Sequence, residues 1–295
     1  MRTVFLGTSE FGAAILRRLA DSPHRPALVL SRPDRPRGRG RQLSAPPVAV
    51  LARELGIDLG QPESVNDERS RARIAVIRPQ ALCVCAFGAL IKQPLLSEHV
   101  MLNVHPSLLP RWRGAAPIER SIMAGDEQTG VSIMRITAGL DSGPVCLQAG
   151  EAISRDDTYG TLSARLQALG GELLVRALGR SDPCKDQDEA RATYAEKIAP
   201  SDRRLDPRRP AVELERVVRA LTPHVGAHVE LDDGTRLGVH HANVVAGERL
   251  APGTISLDGG SPVLACAPGA LELLEVQPPG RRRMSGEAFL RGLRP

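Results

Sequence analysis

Short apolar runs that alternate with helical repeats constrain the fold of this chain more than any other feature. Thr3 to Leu6 is apolar and ends at Gly7, and apolar residues at helical spacing follow from Phe11 to Leu19. The same order recurs, with an apolar run at residues 27–30 and a helical pattern at residues 47–55. Strands that alternate with helices pack as βαβ units. We therefore expect an α/β fold built on an open, mostly parallel sheet.

The pattern continues over roughly the first two thirds of the chain. It predicts a helix that ends at residue 77, strands at 81–87 and 101–104, a helix near 117–123 and two strands, 131–136 and 145–148, close enough to pair antiparallel. Leucines at 162, 166, 169 and 173 share one helix face, which predicts a helix over 158–178. The polar stretch 179–210 is typical of a linker.

The C-terminal part has a different character. After a predicted helix at 212–221, short apolar runs are separated by turn signals such as Asp232-Asp233-Gly234 and Asp258-Gly259-Gly260. Turns at this spacing favour a small β-barrel. We expect two domains, residues 1–204 and residues 205–295.

Composition fits a folded protein, with 42% hydrophobic and 25% charged residues and a net charge of +5. A mild positive charge is compatible with a polyanionic partner. Five cysteines are an odd number without a CxxC spacing, which argues against a disulfide framework, against a zinc site and for a reducing cytoplasm. The cysteine spacing leads us to expect no metal. No leader and no apolar run of transmembrane length is evident, so we expect no membrane association.

The passage that best predicts chemistry leaves the strand at 101–104. Because successive side chains of a strand point to opposite faces, Asn103 and His105 lie on the same face. They are at the carboxyl edge of the sheet, where open α/β sheets bind ligands. Asp141 follows in a loop bracketed by Gly139 and Gly143, and an aspartate beside a histidine can orient its ring. An amide donor, an imidazole and a carboxylate suit acyl transfer to an amine without a covalent intermediate. The alternative interpretation is purely structural: Asn103 caps a strand end, His105 is a loop histidine and Asp141 is a turn residue. For an isolated Asn-x-His, this structural interpretation is favoured.

The surrounding sequence changes that balance. The passage Asn103 to Ile118, together with Gly139 to Gly143, resembles the signature of the folate-dependent formyltransferases. The similarity extends nearly end to end, and it includes Phe5-Leu6-Gly7-Thr8, Pro33-Asp34-Arg35-Pro36, Tyr194-Ala195-Glu196-Lys197 and Gln277-Pro278-Pro279-Gly280. The resemblance implies a Rossmann-like formyltransferase fold with an OB-like C-terminal barrel.

The resemblance also implies a reaction. In it, a formyl group passes from 10-formyltetrahydrofolate to the amino group of methionine on charged initiator tRNA, with Asn103, His105 and Asp141 as catalytic residues. The positions that match the folate site are Ser107, Leu108, Leu109, Pro110, Phe87, Gly88, Leu90, Ile91, Gly139 and Leu140.

Two arginine clusters are candidates for contacts with RNA. Residues 31–42 carry five arginines against one acid, interleaved with glycine and proline, and we expect a mobile loop that cannot pack. A run of charged residues is usually a solvated surface loop. The family resemblance implies instead that this loop reaches the tRNA acceptor stem. The residues that we assign to tRNA binding are Arg35, Arg37, Arg39, Arg41, Arg281, Arg282 and Arg283.

Other interpretations stay open. A related enzyme could formylate a sugar nucleotide or glycinamide ribonucleotide, and a noncatalytic RNA-binding protein could share the fold. Gly7 to Gly12 lacks the glycine triad of a dinucleotide site, and Cys83 and Cys85 are expected in the core. We assign no role to the C-terminal histidines, and we expect a monomer.

Overall fold

The computed structural model describes residues 1–37, 42–180, 183–231, 233–246 and 250–292. Their contacts divide the chain into two compact units, each assembled from separate segments. The first unit comprises Met1–Gly114, Thr129–Glu151 and Ser163–Tyr194, and the second comprises Ala115–Gln128, Ala152–Leu162 and Ala195–Pro295. Part of the stretch that resembles a linker in composition, residues 183–194, is therefore built into the first unit.

A seven-stranded sheet forms the centre of the first unit. Its strands, in chain order, are β1 Thr3–Gly7, β2 Pro26–Leu30, β5 Asp58–Gly60, β6 Ala81–Cys85, β7 Met101–His105, β9 Gln128–Arg135 and β10 Val145–Ala152. They lie in the order β10-β9-β7-β6-β1-β2-β5. The pairs β1–β2, β1–β6, β2–β5 and β6–β7 are parallel, and β7–β9 is antiparallel. The predicted, mostly parallel α/β sheet is confirmed.

Helices follow the strands as the periodicity predicts. They are α1 Glu10–Ala20, α2 Pro47–Glu54, α3 Glu68–Ile77, the short α4 Leu95–Glu98 and α6 Tyr159–Leu178. The hydroxyl of Ser9 caps α1 and the carboxylate of Asp67 caps α3, each accepting a backbone N–H of the first turn.

The core explains why the central strands are apolar throughout. Every residue of β1 and β6 is buried, because parallel strands are covered on both faces. Cys83 and Cys85 belong to this core as expected, and burial raises the pKa of the Cys83 thiol to about 12.

The arginine-rich segment departs from the expected loop. β3 Arg35–Arg37 pairs antiparallel with β4 Gln42–Ser44 in a two-stranded ribbon. Backbone hydrogen bonds need no apolar side chains, so a charged sequence can form such a ribbon. Residues 38–41, which include Arg39 and Arg41, lie outside the described part of the chain.

The second unit is built on antiparallel strands, as the turn spacing predicts. They are β12 Ala227–Glu230, β13 Arg236–Val245, β14 Ile255–Ser256, β15 Val263–Ala265, β16 Ala270–Gln277 and β17 Met284–Ser285. The order is β12-β13-β16-β15-β14, with β17 on β16. The accompanying helices are α5 Pro117–Ala124, α7 Ala211–Leu221 and α8 Gly286–Arg291. The apolar face of α7, including Leu214 and Val218, is buried with sheet residues such as Val239.

Short elements complete the description: β8 Arg113–Gly114, β11 Tyr194–Ala195 and the 3-10 helices Glu189–Arg191 and Pro200–Arg203. Across the described ranges, no helix combines the length and apolar character needed to cross a membrane.

One prediction from the cysteines is wrong. Cys146 and Cys184, which are separated by 38 positions in sequence, form a disulfide. Sequence spacing does not reveal this pair, because the fold brings it together. Next to it, Val145 on β10 and Lys185 exchange two backbone hydrogen bonds of 2.8 and 2.9 Å. The disulfide therefore attaches the start of the 183–194 stretch to the edge of the sheet.

Candidate active site

Asn103 and His105 lie on one face of β7 at its carboxyl end. Asn103 is opposite Val84 of β6, and His105 is opposite Ser132 of β9. His105 is only 4% exposed, whereas Asn103 is half-buried. The Asn103 side chain makes no hydrogen bond to any residue that the structure describes, which leaves its amide available to a ligand.

The His105 ring lies between two oxygen atoms. Its Nε2 is 2.8 Å from the Trp112 carbonyl oxygen, and its Nδ1 is 3.6 Å from Oδ2 of Asp141. Nε2 must donate in the first contact because a carbonyl oxygen can only accept. Trp112 has a left-handed backbone with φ of 64°, which helps to aim its carbonyl at the ring. The structure thus brings His105 and Asp141 together, as the sequence predicts.

Asp141 is held in an unusual backbone conformation. Its φ is 44°, and its Oδ2 accepts a 2.9 Å hydrogen bond from the Gly114 backbone N–H. Close to it, a Cβ atom on Gly143 would collide with the Arg135 carbonyl oxygen. Glycine is therefore required at 143 for the loop to lie directly against the end of β9.

Three side chains outside the predicted set of site residues support this loop. The Nε2 of Gln187 donates to the carbonyl oxygens of Asp141, at 2.8 Å, and Gly143, at 2.7 Å. Its Oε1 accepts from Arg113 Nε and NH2 at 3.0 and 2.9 Å. Glu189 accepts two further bonds from the Arg113 guanidinium, at 2.8 and 2.7 Å.

The Arg113–Glu189 contact has an electrostatic consequence for both groups. The Arg113 side chain is 2% exposed, and that of Glu189 is 67% exposed. Hydrogen bonds from Arg113 hold the pKa of the Glu189 carboxyl below its ordinary value. The Glu189 carboxylate in turn raises the pKa of the Arg113 guanidinium. Arg113 thus stays charged although it is buried.

The predicted folate loop, Ser107 to Pro110, is fixed by its own network. Ser132 Oγ donates to the Ser107 carbonyl at 2.6 Å and accepts from the Leu109 N–H at 3.1 Å. Gln148 donates to the Leu109 carbonyl at 3.0 Å. The side chains of Ser107 and Leu109 are buried, whereas Leu108 and Pro110 are half-buried.

The other predicted folate-site residues include both buried and exposed side chains. Phe87 and Ile91 are buried in the core, while the Leu90 side chain is 69% exposed. Asn66 holds this segment: its Nδ2 donates to the Leu90 carbonyl at 2.8 Å, and its Oδ1 accepts from the Lys92 N–H at 2.7 Å. Gly88 has a φ of 72°, and Gly139 and Leu140 are exposed near Asp141 in the chain.

The candidate tRNA-binding arginines are exposed where they are described. Arg35, Arg281, Arg282 and Arg283 all have exposed side chains. Arg35 forms a loose 3.7 Å ion pair with exposed Glu63, and Arg283 donates to the Pro223 carbonyl at 3.4 Å. The backbone of Arg37 belongs to β3.

Two of the C-terminal histidines have identifiable contacts. His224 stacks on Tyr159, and its Nε2 lies 2.9 Å from a carboxylate oxygen of Glu119. The Nε2 of His240 is 3.0 Å from Oε1 of Gln277. Among the described residues, no cluster of three histidine, cysteine or acidic side chains is suited to a metal ion.

Protein-family comparison agrees with the fold. A family model described as "Formyl transferase" matches residues 1–178, and one described as "Formyl transferase, C-terminal domain" matches residues 197–294. The chain belongs to the formyl transferase family.

Individual relatives carry a more specific name. A methionyl-tRNA formyltransferase from Methylococcus capsulatus is 44% identical over 297 residues, covering 98% of this chain and 96% of the relative. One from Dechloromonas aromatica is 40% identical, covering 99% of this chain and 96% of the relative. Among solved structures, the methionyl-tRNA formyltransferase from Clostridium thermocellum has a TM-score of 0.59 at 12% identity and covers 84% of this chain and 95% of its own.

Proposed function

We propose that this protein transfers the formyl group of 10-formyltetrahydrofolate to the α-amino group of methionine on initiator tRNA, for translation initiation. The observation that carries the proposal is similarity over 98% of the chain to relatives of this name. The placement of Asn103, His105 and Asp141 at one sheet edge supports it, because such a set suits acyl transfer to an amine.

The features around this edge fit the folate donor. The Asn103 amide has no hydrogen-bond partner among the described residues, and the large apolar side chains of Leu90 and Leu140 are 69% and 61% exposed. Ligand sites combine apolar surface with a few polar groups that fix orientation. When bound, 10-formyltetrahydrofolate supplies the formyl carbon, and its nitrogen leaves with a proton.

The protein's part in the reaction follows from these positions. The methionine amine attacks the formyl carbon, a C–N bond forms, and the formyl oxygen gains negative charge that the Asn103 N–H stabilises. The His105–Asp141 pair, 3.6 Å apart, takes the proton that the amine loses and returns it to the folate nitrogen as the bond between that nitrogen and the formyl carbon breaks. The α-amine of an aminoacyl ester has a pKa near or below about 7.7, so much of it is already neutral and nucleophilic.

For tRNA binding we propose the arginines Arg35, Arg37, Arg39, Arg41, Arg281, Arg282 and Arg283. Arginine contacts to phosphate dominate RNA affinity and need little surrounding structure. We expect Arg41→Ala to weaken tRNA binding more than it lowers turnover at saturating tRNA. We also propose that the enzyme acts as a monomer in the cytoplasm, which sedimentation of the purified protein and fractionation of cells would test.

One assay tests the reaction. The protein is incubated with labelled 10-formyltetrahydrofolate and charged initiator tRNA, and the label on methionyl-tRNA is measured. We expect formylmethionyl-tRNA to form, with uncharged tRNA as the control. Labelling of an amino-sugar nucleotide or of glycinamide ribonucleotide instead would overturn the proposal in favour of a related enzyme. RNA binding without any transfer would indicate a noncatalytic protein.

A further inference from the structure

We propose that Gln187 is a positioning residue for formyl transfer, because its side chain connects the loop that carries Asp141 to the segment that contacts His105. The inference deepens the proposed function and assigns Gln187 no contact with substrate. It rests on four hydrogen bonds made by one amide group, all between 2.7 and 3.0 Å.

The first half of the connection restrains the Asp141 loop. A non-glycine residue with φ of 44° is in a sparsely populated conformation that surrounding contacts must maintain. Gln187 supplies such contacts, because its two amide hydrogens bind the carbonyl oxygens on either side of Ser142. The carboxylate of Asp141 is thereby directed towards the Gly114 N–H and His105.

The second half restrains the opposite wall of the site. Gln187 Oε1 accepts from Arg113, whose neighbours in sequence are Trp112, the carbonyl partner of His105, and Gly114, the N–H partner of Asp141. Thr193 adds to this attachment. It accepts from the Arg113 N–H at its carbonyl, 2.9 Å away, and from the Trp112 N–H at its hydroxyl, also 2.9 Å away. The Gln187 side chain therefore restrains both the loop that carries Asp141 and the backbone segment that contacts His105.

Only a glutamine can make this set of bonds at this position. The amide offers two donors on one atom and an acceptor on the other. A carboxylate at 187 would keep the contact to Arg113 but would face two carbonyl oxygens without a proton to share. A methionine would fill similar space and make neither contact, so Gln187→Glu and Gln187→Met separate the two halves of the connection.

The test compares these variants in formylation assays of the full-length protein. We expect both to lower kcat by roughly ten- to a hundredfold, since a misplacement of about 1 Å can have such an effect, while tRNA affinity and the KM for tRNA stay near wild type. The pH profile of kcat should change shape, because the spacing of His105 and Asp141 changes. Gln80→Met is the matched control, since Gln80 accepts a single backbone hydrogen bond from Arg2 elsewhere in the first unit.

A purely structural role would change the melting temperature but leave kcat per folded molecule and its pH profile unchanged in both variants, and that result would overturn the proposal. If Gln187→Met does not fold, Gln187→Glu alone decides the question. The titration of the His105 ring by NMR gives a readout that needs no substrate. A shifted His105 titration in the variants supports the positioning role even if methionyl-tRNA is not the acceptor, and an unchanged titration contradicts it.

Discussion

The arginines of this protein are held in two opposite ways. Arg113 is 2% exposed, and its guanidinium makes four hydrogen bonds to Gln187 and Glu189. Arg281 to Arg283 are exposed, and Arg283 donates one 3.4 Å hydrogen bond to the Pro223 carbonyl oxygen. The same residue type thus fixes geometry in one region and presents exposed charge in the other.

The difference follows from the two tasks. Acyl transfer needs donors and acceptors held in place before the substrate arrives, which favours buried and fully bonded groups. Docking of a polyanion needs exposed charge that can reach phosphates at several angles. Because salt screens exposed charges, RNA binding by such residues should weaken as the salt concentration rises. Mutations in the two regions should therefore separate turnover from RNA affinity.

The largest expected effect is the loss of the catalytic imidazole. We expect His105→Ala to lower kcat by roughly 10²- to 10⁴-fold, the range of general acid–base catalysis, with tRNA affinity close to wild type. Single-turnover formylation and filter binding measure the two quantities, and exposed His241→Ala is the control. An equal loss of RNA affinity in His105→Ala would remove the distinction between the regions.

The disulfide beside the Gln187 segment should contribute strongly to stability. We expect Cys184→Ser to lower the free energy of unfolding by about 2–4 kcal/mol, the usual range for a native disulfide. Since Val145 and Lys185 still exchange two backbone hydrogen bonds, kcat should change little. Urea unfolding with and without reductant provides the measurement, with Cys146→Ser and the double variant as controls. Additive losses in the double variant would contradict the pairing.

Two glycines that bracket Asp141 form a matched pair. Gly143→Ala places a Cβ against the Arg135 backbone oxygen, and overpacking of this kind costs about 1–3 kcal/mol. Gly139→Ala meets the Ser142 hydroxyl, which can rotate away. We expect lower stability and lower kcat for the first variant and near-wild-type stability for the second. Similar behaviour of the two would mean that the loop does not depend on its close approach to β9.

The exposed arginines 281–283 should determine part of the salt dependence of tRNA binding. Replacing Arg281, Arg282 and Arg283 by serine should weaken tRNA binding and reduce the slope of log affinity against log salt by about 0.7–0.9 per lost phosphate contact. Turnover at saturating tRNA should not change. Exposed Arg155→Ser is the control. An unchanged slope would exclude these arginines from the RNA contact.

The smallest effect concerns Glu189, whose carboxyl is on the exposed side of the Arg113 contact. Its folded pKa is lowered by Arg113, so the stabilisation is complete above the unfolded pKa and is lost as pH falls through the folded value. We expect wild type to be more stable than Glu189→Gln near neutral pH, and the difference to shrink with acidification below about pH 4. Unfolding free energies of both proteins across this range test it. A difference that does not depend on pH would contradict the ion pair.

Local patterns made much of this structure predictable. That Asn103 and His105 share one face of a strand follows from the two-residue alternation of side chains. That this face belongs to a site follows from the rule that ligands bind at the carboxyl edge of such sheets. Gln187 escapes prediction because it lies in a polar stretch without periodicity, 46 residues from Asp141. The Cys146–Cys184 pair and the β3–β4 ribbon depend in the same way on tertiary proximity and on backbone bonding, which composition does not encode.

The position of Gln187 in the chain bears on how this protein can be dissected. The match to the first family model ends at residue 178, and the match to the second begins at residue 197. Gln187, Glu189 and Thr193 lie between the two matched ranges. A fragment that ends at residue 178 would retain Asn103, His105 and Asp141 but lose the side chains that support the Asp141 loop and the Trp112 segment. For truncation or domain exchange, the functional boundary of the catalytic module lies beyond Thr193.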